Sequence, residues 1–192
     1  MQQQTSFVRP ARPGDLTPVA DLHAAYLAWL SQVSDQPLAP FRLLPPGSGA
    51  AATTGFAAAR ADQTPGTHLL VATEADQVVG FALAVSVANA PATAAPAPDS
   101  SPLVALAQGA PTELAYLVVS PAAGPGHGER LLAALTDVCR AEELATLRAW
   151  VPAPDTALAG LLTAAGFAET GVAVRFADAP TPLRAHLYVT RL

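Results

Sequence analysis

One stretch of this sequence constrains its fold more than any other: residues 114–132, which read LAYLVVSPAAGPGHGERLL. The apolar run before Pro121 predicts a strand, and the one-sided apolar pattern after the glycines predicts an amphipathic helix. Between them, Gly124, Gly126 and Gly128 lack a Cβ, so the backbone there can turn several N–H groups towards one bound anion. The segment therefore predicts a phosphate-binding loop at the N-terminus of a helix.

Two familiar phosphate-binding loops do not fit this spacing. A nucleoside-triphosphate loop ends in Gly-Lys-Ser/Thr, and this sequence contains no lysine. A dinucleotide-binding loop requires its third glycine where Glu129 stands, and an acidic residue after the next strand, which here reads LATLRAWVP. The loop therefore belongs to another class.

The segment resembles the corresponding part of the GCN5-related N-acetyltransferase (GNAT) family. That family has a strand, a proline, a six-residue Arg/Gln-x-x-Gly-x-Gly/Ala loop and a helix that opens with two leucines. Residues 7–16 (FVRPARPGDL) are similar to its first strand and the turn that follows. Residues 68–87 are similar to its second and third strands, joined at 74–77, and residues 155–167 (DTALAGLLTAAGF) to its fourth helix and terminal Gly-Phe. The resemblance covers most of the chain.

The resemblance implies an α/β fold, the GNAT acyl-CoA N-acyltransferase fold. Its mixed, mostly antiparallel sheet has about seven strands flanked by about four helices, and the fourth strand splays from the fifth. A length of 192 residues predicts a single domain over 1–192. Periodicity predicts helices over 17–32 and 51–61. A Pro/Ala-rich insertion at 90–111 is expected to be a lid over the acceptor side, a docking segment or a solvated loop.

In this family the loop holds the pyrophosphate of acetyl-coenzyme A (acetyl-CoA), while amides of the fourth strand take the pantetheine arm and polarise the thioester carbonyl. The cofactor-binding residues that the resemblance implies here are Leu117, Val118, Val119, Ala123, Gly124, Gly126, His127, Gly128 and Glu129. Two positions depart from the pattern. Ala123 stands where the family has Arg or Gln, and Pro125 has no N–H to donate.

The implied reaction needs a general base, because a protonated amine cannot attack a thioester. Glu113 opens the predicted fourth strand, at an offset similar to that of the catalytic glutamate in histone-acetylating members of the family. Strand alternation predicts Glu113, Ala115, Leu117 and Val119 on one face, where burial would raise the pKa of Glu113. The alternative is that Glu113 lies exposed at the start of the strand and is only solvated.

The general acid is harder to assign. Many members place a tyrosine in the fourth helix as proton donor to the departing thiolate, and Leu162 occupies that position here. Tyr188 and His127 are weaker candidates, with the His127 ring expected to be exposed. Tyr116 is expected in the core, on the strand face opposite to Glu113. Cys139 lies on an apolar helix stripe, which favours a core residue over a nucleophile and so direct attack in a ternary complex.

The predicted function is N-acetyl transfer from acetyl-CoA to a primary amine of unknown identity, a small molecule or a peptide, without a metal. Two alternatives remain. One is a catalytically weak or inactive acyl-CoA-binding module of the same fold, and the other is a domain that holds a different phosphate-bearing ligand. Tyr26, Trp29 and Phe41 are candidates either for an apolar acceptor pocket or for the core.

Charge and hydropathy argue against two classes of partner, nucleic acids and membranes. The formal net charge of −5 argues against a nucleic-acid surface. The N-terminal residues do not read as a signal peptide, and no run of about 18 apolar residues follows, which predicts a cytoplasmic protein with no membrane partner. Family members are often dimers, and the sequence leaves a homodimer undecided.

Overall fold

The computed structural model describes residues 6–34, 52–62, 64–87, 101–175 and 183–192. The strands are β1 Ser6–Pro10, β2 His68–Glu74, β3 Gln77–Ser86, β4 Thr112–Val119, β5 Thr146–Pro152, β6 Ala168–Arg175 and β7 Arg184–Arg191. The helices are α1 Leu16–Val33, α2 Ala52–Ala61, α3 Pro102–Gln108, α4 His127–Ala141 and α5 Thr156–Ala164, and a short 3-10 turn, Pro13–Asp15, precedes α1.

The strands form one seven-stranded sheet in the order β1-β2-β3-β4-β5-β7-β6. Every neighbouring pair is antiparallel except β4 and β5, which are parallel. The predicted mixed, mostly antiparallel sheet is therefore confirmed. The predicted joint at 74–77 is confirmed as well: Ala75 and Asp76 have φ of 48° and 65°, as a tight hairpin turn requires.

Helices cover both faces of the sheet because successive strand residues point to opposite sides. On one face Leu70, Ala82 and Leu117 pack with Leu131 and Leu135 of α4. The opposite face is the α1 face, whose core is a separate cluster of residues from α1, α2 and the strands: Val19, Phe56, Val71, Phe81 and Val118. Because β4 is the middle strand of the sheet, the glycine loop between β4 and α4 starts from the centre of the sheet.

The described part of the insertion, residues 101–111, contains the helix α3. With α3 the described residues form five α-helices, where the resemblance implied about four. Ser101 caps α3 by accepting a hydrogen bond from the Val104 N–H at 3.3 Å. Ala107 of α3 packs against Leu187 and Val189 of β7. Residues 101–108 therefore form a docked segment against β5–β7. Residues 90–100 of the predicted insertion lie outside the described residues.

A β-bulge in β4 changes which residues share a face. Tyr116 lies opposite Leu83 and Leu114 lies opposite Ala84, so Ala115 is an additional residue between two adjacent partners. A bulge of this kind reverses the side-chain alternation on either side of it.

The predicted shared face of Glu113, Ala115, Leu117 and Val119 is consequently wrong. Glu113 pairs with Val85, which packs on the α1 face, whereas Leu117 packs on the α4 face. Tyr116, expected on the face opposite to Glu113, shares its face instead. The expectation that Tyr116 is a core residue is confirmed, since it is 5% exposed.

Candidate active site

The glycine loop joins β4 to α4, and its geometry suits an anion. Gly126 is the N-cap residue of α4 and has φ of 85°, a left-handed conformation that a residue with a Cβ adopts only with strain. Because Gly126 has no side chain, no side chain at the N-cap position accepts a hydrogen bond from the first amides of the helix. The first amides of α4, those of His127, Gly128 and Glu129, have no acceptor within the helix and lie at its positive dipole end. They are suited to bind phosphate oxygens.

Glu74, at the end of β2, supports this loop. Its Oε2 accepts a hydrogen bond from the Gly124 N–H at 3.3 Å and lies 3.5 Å from Nε2 of His127. The His127 ring is only 2% exposed, so the expectation of an exposed ring is wrong. The reason is tertiary: α4 packs across β2 and β3, and its first side chain meets the hairpin.

A cleft of about 520 Å³ lies beside the loop. Its walls are α1, the carboxyl end of β4, the loop with the start of α4, and α5. All of the predicted cofactor-binding residues line this cleft except Ala123. The Ala123 N–H instead donates to the Ser120 carbonyl at 3.0 Å, in the turn that leaves β4.

The cleft opens where β4 separates from β5. The two strands pair only from Thr112 to Leu114, opposite Leu147 to Ala149. Beyond Leu114, β4 continues to pair with β3 through Val119, so its edge towards β5 has no strand partner. A narrow wedge of about 20 Å³ lies between the separated strands. The predicted separation of the fourth strand from the fifth is therefore present.

Glu113 lies at the paired end of β4. It is 8% exposed, and its Oε2 accepts a hydrogen bond from Nε of Arg148 at 2.9 Å. Arg148 also donates to the Ala107 carbonyl of α3 at 3.3 Å. Burial raises the pKa of Glu113, and the Arg148 guanidinium opposes that rise. Glu113 is not exposed at the start of the strand, yet it lines neither the cleft nor the wedge.

A second carboxylate, Asp155, lines the cleft, and the sequence analysis did not select it. Its Oδ2 accepts a hydrogen bond from the Tyr26 phenol at 2.9 Å, and its Oδ1 accepts the Leu158 N–H at 3.0 Å as the N-cap of α5. Burial, and then the Asp155 charge, raise the pKa of Tyr26, so the phenol keeps its proton. An Asp directly before a run with helical periodicity is a cap signal that could have marked Asp155. Nothing in the sequence pairs it with Tyr26, 129 positions away.

Of the two weaker candidates for the general acid, His127 lines the cleft and Tyr188 does not. Leu162, at the position of the family's tyrosine, is fully buried in the core on the α4 face. Tyr188 belongs to the same core, with its hydroxyl 3.5 Å from Glu169.

Cys139 is also a core residue, as predicted, and burial raises the pKa of its thiol to about 11. Such a thiol is a poor nucleophile at neutral pH.

Two of the aromatic acceptor candidates line the cleft. Tyr26 and Trp29, one helical turn apart on α1, have ring centroids 5.7 Å apart, and the Trp29 side chain is exposed. Phe41 lies outside the described residues.

None of the described helices combines the length and the apolar character needed to cross a membrane. Likewise, within the described ranges no three His, Cys, Asp or Glu residues cluster in a way that could hold a metal ion.

Comparison with known proteins agrees with this geometry. The sequence profile described as the acetyltransferase (GNAT) family matches residues 35–167. A search of curated proteins gives no significant match. The fold is similar to that of the ribosomal-protein-alanine N-acetyltransferase from Brucella melitensis, with a TM-score of 0.64 and 22% identity over 97% of this chain and 99% of that chain.

Two further solved structures are similar to a comparable degree. An N-acetyltransferase from Staphylococcus aureus Mu50 has a TM-score of 0.64 and 20% identity over 97% of this chain and 98% of that chain. The yncA protein from Salmonella typhimurium, solved with its cofactor acetyl-CoA, has a TM-score of 0.63 and 19% identity over 97% of this chain and 94% of that chain.

Proposed function

The chain belongs to the GNAT family of acetyltransferases, and from that premise we propose that it transfers an acetyl group from acetyl-CoA to a primary amine by direct attack in a ternary complex. One observation carries the proposal: the uncapped N-terminus of α4, at the glycine loop, lies in the same cleft as the unpaired edge of β4. A diphosphate and a thioester need these two features next to each other.

The residues of the cleft fit acetyl-CoA, which supplies an acyl group activated as a thioester. The amides of His127, Gly128 and Glu129 would hold its pyrophosphate. The strand Leu117 to Val119 would accept the pantetheine arm along its unpaired edge, where amides can polarise the thioester carbonyl as oxyanion donors. The structurally similar yncA protein binds acetyl-CoA, which supports the same ligand here.

We assign the general base to Glu113. Its burial raises its pKa and makes it a stronger base, and it shares a strand face with Tyr116 at the start of the separated region. Because Glu113 does not line the cleft, it would act through water. The departing thiol, with a pKa of about 8.5, leaves without full protonation, so the absence of a tyrosine at Leu162 is tolerable.

The first experiment measures acetyl-CoA binding by calorimetry and thiol release with a panel of primary amines, for the unmodified chain and two glycine variants. Gly126→Ala forces a Cβ into a left-handed position inside the cleft, and we expect roughly 10-fold weaker acetyl-CoA binding. Gly166→Ala is the matched control. Gly166 has φ of 89° with nothing within 4 Å of its added Cβ, and it lies outside the cleft.

The outcomes separate the alternatives. Acetyl-CoA binding without thiol release for any amine would indicate the inactive acyl-CoA-binding module. Tighter binding of a nucleotide than of acetyl-CoA would indicate a different phosphate-bearing ligand. Equal loss of acetyl-CoA affinity in Gly126→Ala and Gly166→Ala would mean that backbone strain, and not the loop, controls binding.

A further inference from the structure

We infer that the Tyr26–Asp155 pair receives the ammonium group of the acceptor, and that the acceptor is a primary amine with an apolar body and no carboxylate next to that amine. This inference rests on the proposed function and names its substrate class. It concerns recognition of the cation, since loss of the proton before attack is the general-base step already assigned.

The position of the pair places it beside the reacting groups. Tyr26, Leu117 and Leu158 line both the cleft and the wedge between β4 and β5. The Tyr26–Asp155 hydrogen bond, formed between α1 and the start of α5, therefore lies at the junction of the two cavities. In the proposed function this junction is where the thioester meets the acceptor.

The pair has the right hydrogen-bonding capacity for an ammonium. Asp155 is 7% exposed, and each of its oxygens accepts one described hydrogen bond, although a carboxylate oxygen can accept two. Tyr26 donates its only hydroxyl proton to Asp155, so the phenol oxygen faces any ligand as an acceptor. Two acceptors thus lie side by side, and an ammonium offers three donors.

The side chains that line the cleft disfavour an acceptor that carries a carboxylate next to its amine. Among the described residues that line it, the charged side chains Glu129 and Asp155 are both acidic, and none is an arginine. The carboxylate of a free amino acid would therefore find no arginine among these described lining residues and would be repelled by Asp155. In contrast, a cation at Asp155 gains a charge-assisted hydrogen bond in a partly desolvated site.

The surface next to the pair is apolar. Trp29 is 38% exposed and its ring lies against Tyr26, with Leu22 and Ala25 on the same wall. An exposed indole beside a buried carboxylate suits the hydrophobic body of a cationic ligand, which can also interact with the aromatic faces.

The test compares acceptors that differ only at the carboxylate, using the full chain with saturating acetyl-CoA. We expect acetylation of 2-phenylethylamine and phenylalaninamide, and a kcat/KM for phenylalanine at least ~10-fold lower. In Asp155→Asn, the single amide oxygen can keep the helix cap and the amide NH2 then donates to the Tyr26 oxygen, so the charge and both acceptors for an ammonium are lost. We expect the KM for 2-phenylethylamine to rise roughly 10- to 100-fold, with acetyl-CoA affinity unchanged.

Two further variants guard against a purely structural effect. Asp21→Asn removes the same charge from the exposed side of α1, outside the cleft, and should leave the KM unchanged. Tyr26→Phe should raise the KM several-fold, by less than Asp155→Asn.

Failure of the inference is distinct from failure of the proposed function. If acetyl-CoA binds but phenylalanine reacts as well as 2-phenylethylamine, if neither apolar amine reacts, or if Asp155→Asn leaves the KM unchanged, the inference is overturned and the proposed function stands on its own test. If acetyl-CoA does not bind to the unmodified chain, the proposed function fails and this inference fails with it.

Discussion

A buried carboxylate lies near each end of β4, and the two carboxylates differ in the groups that donate hydrogen bonds to them. At its amino end β4 is paired with β5, and Glu113 receives a hydrogen bond from the cation Arg148 at 2.9 Å. At its carboxyl end β4 has left β5, and Asp155 across the cleft receives its bonds from a phenol and a backbone N–H. Both residues are buried, with 8% of Glu113 and 7% of Asp155 exposed.

The two carboxylates differ in whether a cation among the described residues is bonded to them. Burying a carboxylate is costly unless a partner compensates it, and Arg148 does so where the sheet is closed. Neutral donors give each Asp155 oxygen one hydrogen bond, and no arginine lies among the described residues that line the cleft. A polar group placed in this way on the wall of a mostly apolar cleft is a candidate ligand-binding group.

The largest expected effect is on turnover at the closed end. Glu113→Gln keeps an acceptor for Arg148 but cannot take a proton, so we expect kcat to fall roughly 10²-fold with little change in acetyl-CoA affinity. Because burial raises the pKa of Glu113, kcat of the unmodified chain should fall as pH falls through that raised pKa, and the variant should lose this dependence.

Steady-state kinetics across pH measure both effects. The control is Glu169→Gln, which changes an exposed carboxylate on β6 paired with His186. If Glu113→Gln turns over like the control at every pH, Glu113 serves only in the ion pair with Arg148. The paired end of β4 would then have a structural role, and only the separated end a functional one.

The next effect is on stability. Arg148→Met leaves the Glu113 carboxylate buried without its cation, and we expect the free energy of unfolding at neutral pH to fall by about 2 kcal/mol. A carboxyl group whose pKa is higher in the folded state than in the unfolded state costs stability above that pKa. The cost is relieved as pH falls through it, so the deficit should shrink at acidic pH.

Urea denaturation at neutral and at acidic pH measures this deficit. Arg140→Met provides the comparison, because Arg140 is 54% exposed in its pair with Asp137 and should contribute less than about 0.5 kcal/mol. Equal losses in the two variants would contradict the interpretation that Arg148 compensates a buried charge.

The smallest effect concerns the open end. Tyr26→Phe removes one hydrogen bond to Asp155 but leaves the helix cap, so we expect the free energy of unfolding to fall by about 1 kcal/mol, less than for Arg148→Met. Thermal or urea unfolding measures it, with Tyr188→Phe as control because its hydroxyl lies 3.5 Å from Glu169. A loss of unfolding free energy larger than that of Arg148→Met would reverse the comparison. The Tyr26–Asp155 pair would then mainly stabilise the fold.

Much of the fold could be predicted because its signals are local. The helix predicted over 17–32 is observed as Leu16–Val33, and that over 51–61 as Ala52–Ala61, with residue 51 outside the described residues. Helical periodicity also identified the buried stripe of α4, including Cys139. Gly126 could be identified because a left-handed N-cap next to a ligand requires a residue without a Cβ.

The sequence by itself determined the family, the sheet and the loop, whereas the tertiary structure decided how the carboxylates are used. A single extra residue at Ala115 moved Glu113 to the other face, because a strand with period 2 reverses its alternation at a bulge. The packing of α4 on β2 and β3 buried His127 beside Glu74. Tyr26 and Asp155 meet across 129 positions because both α1 and α5 flank the gap between β4 and β5, and no local pattern encodes such a contact.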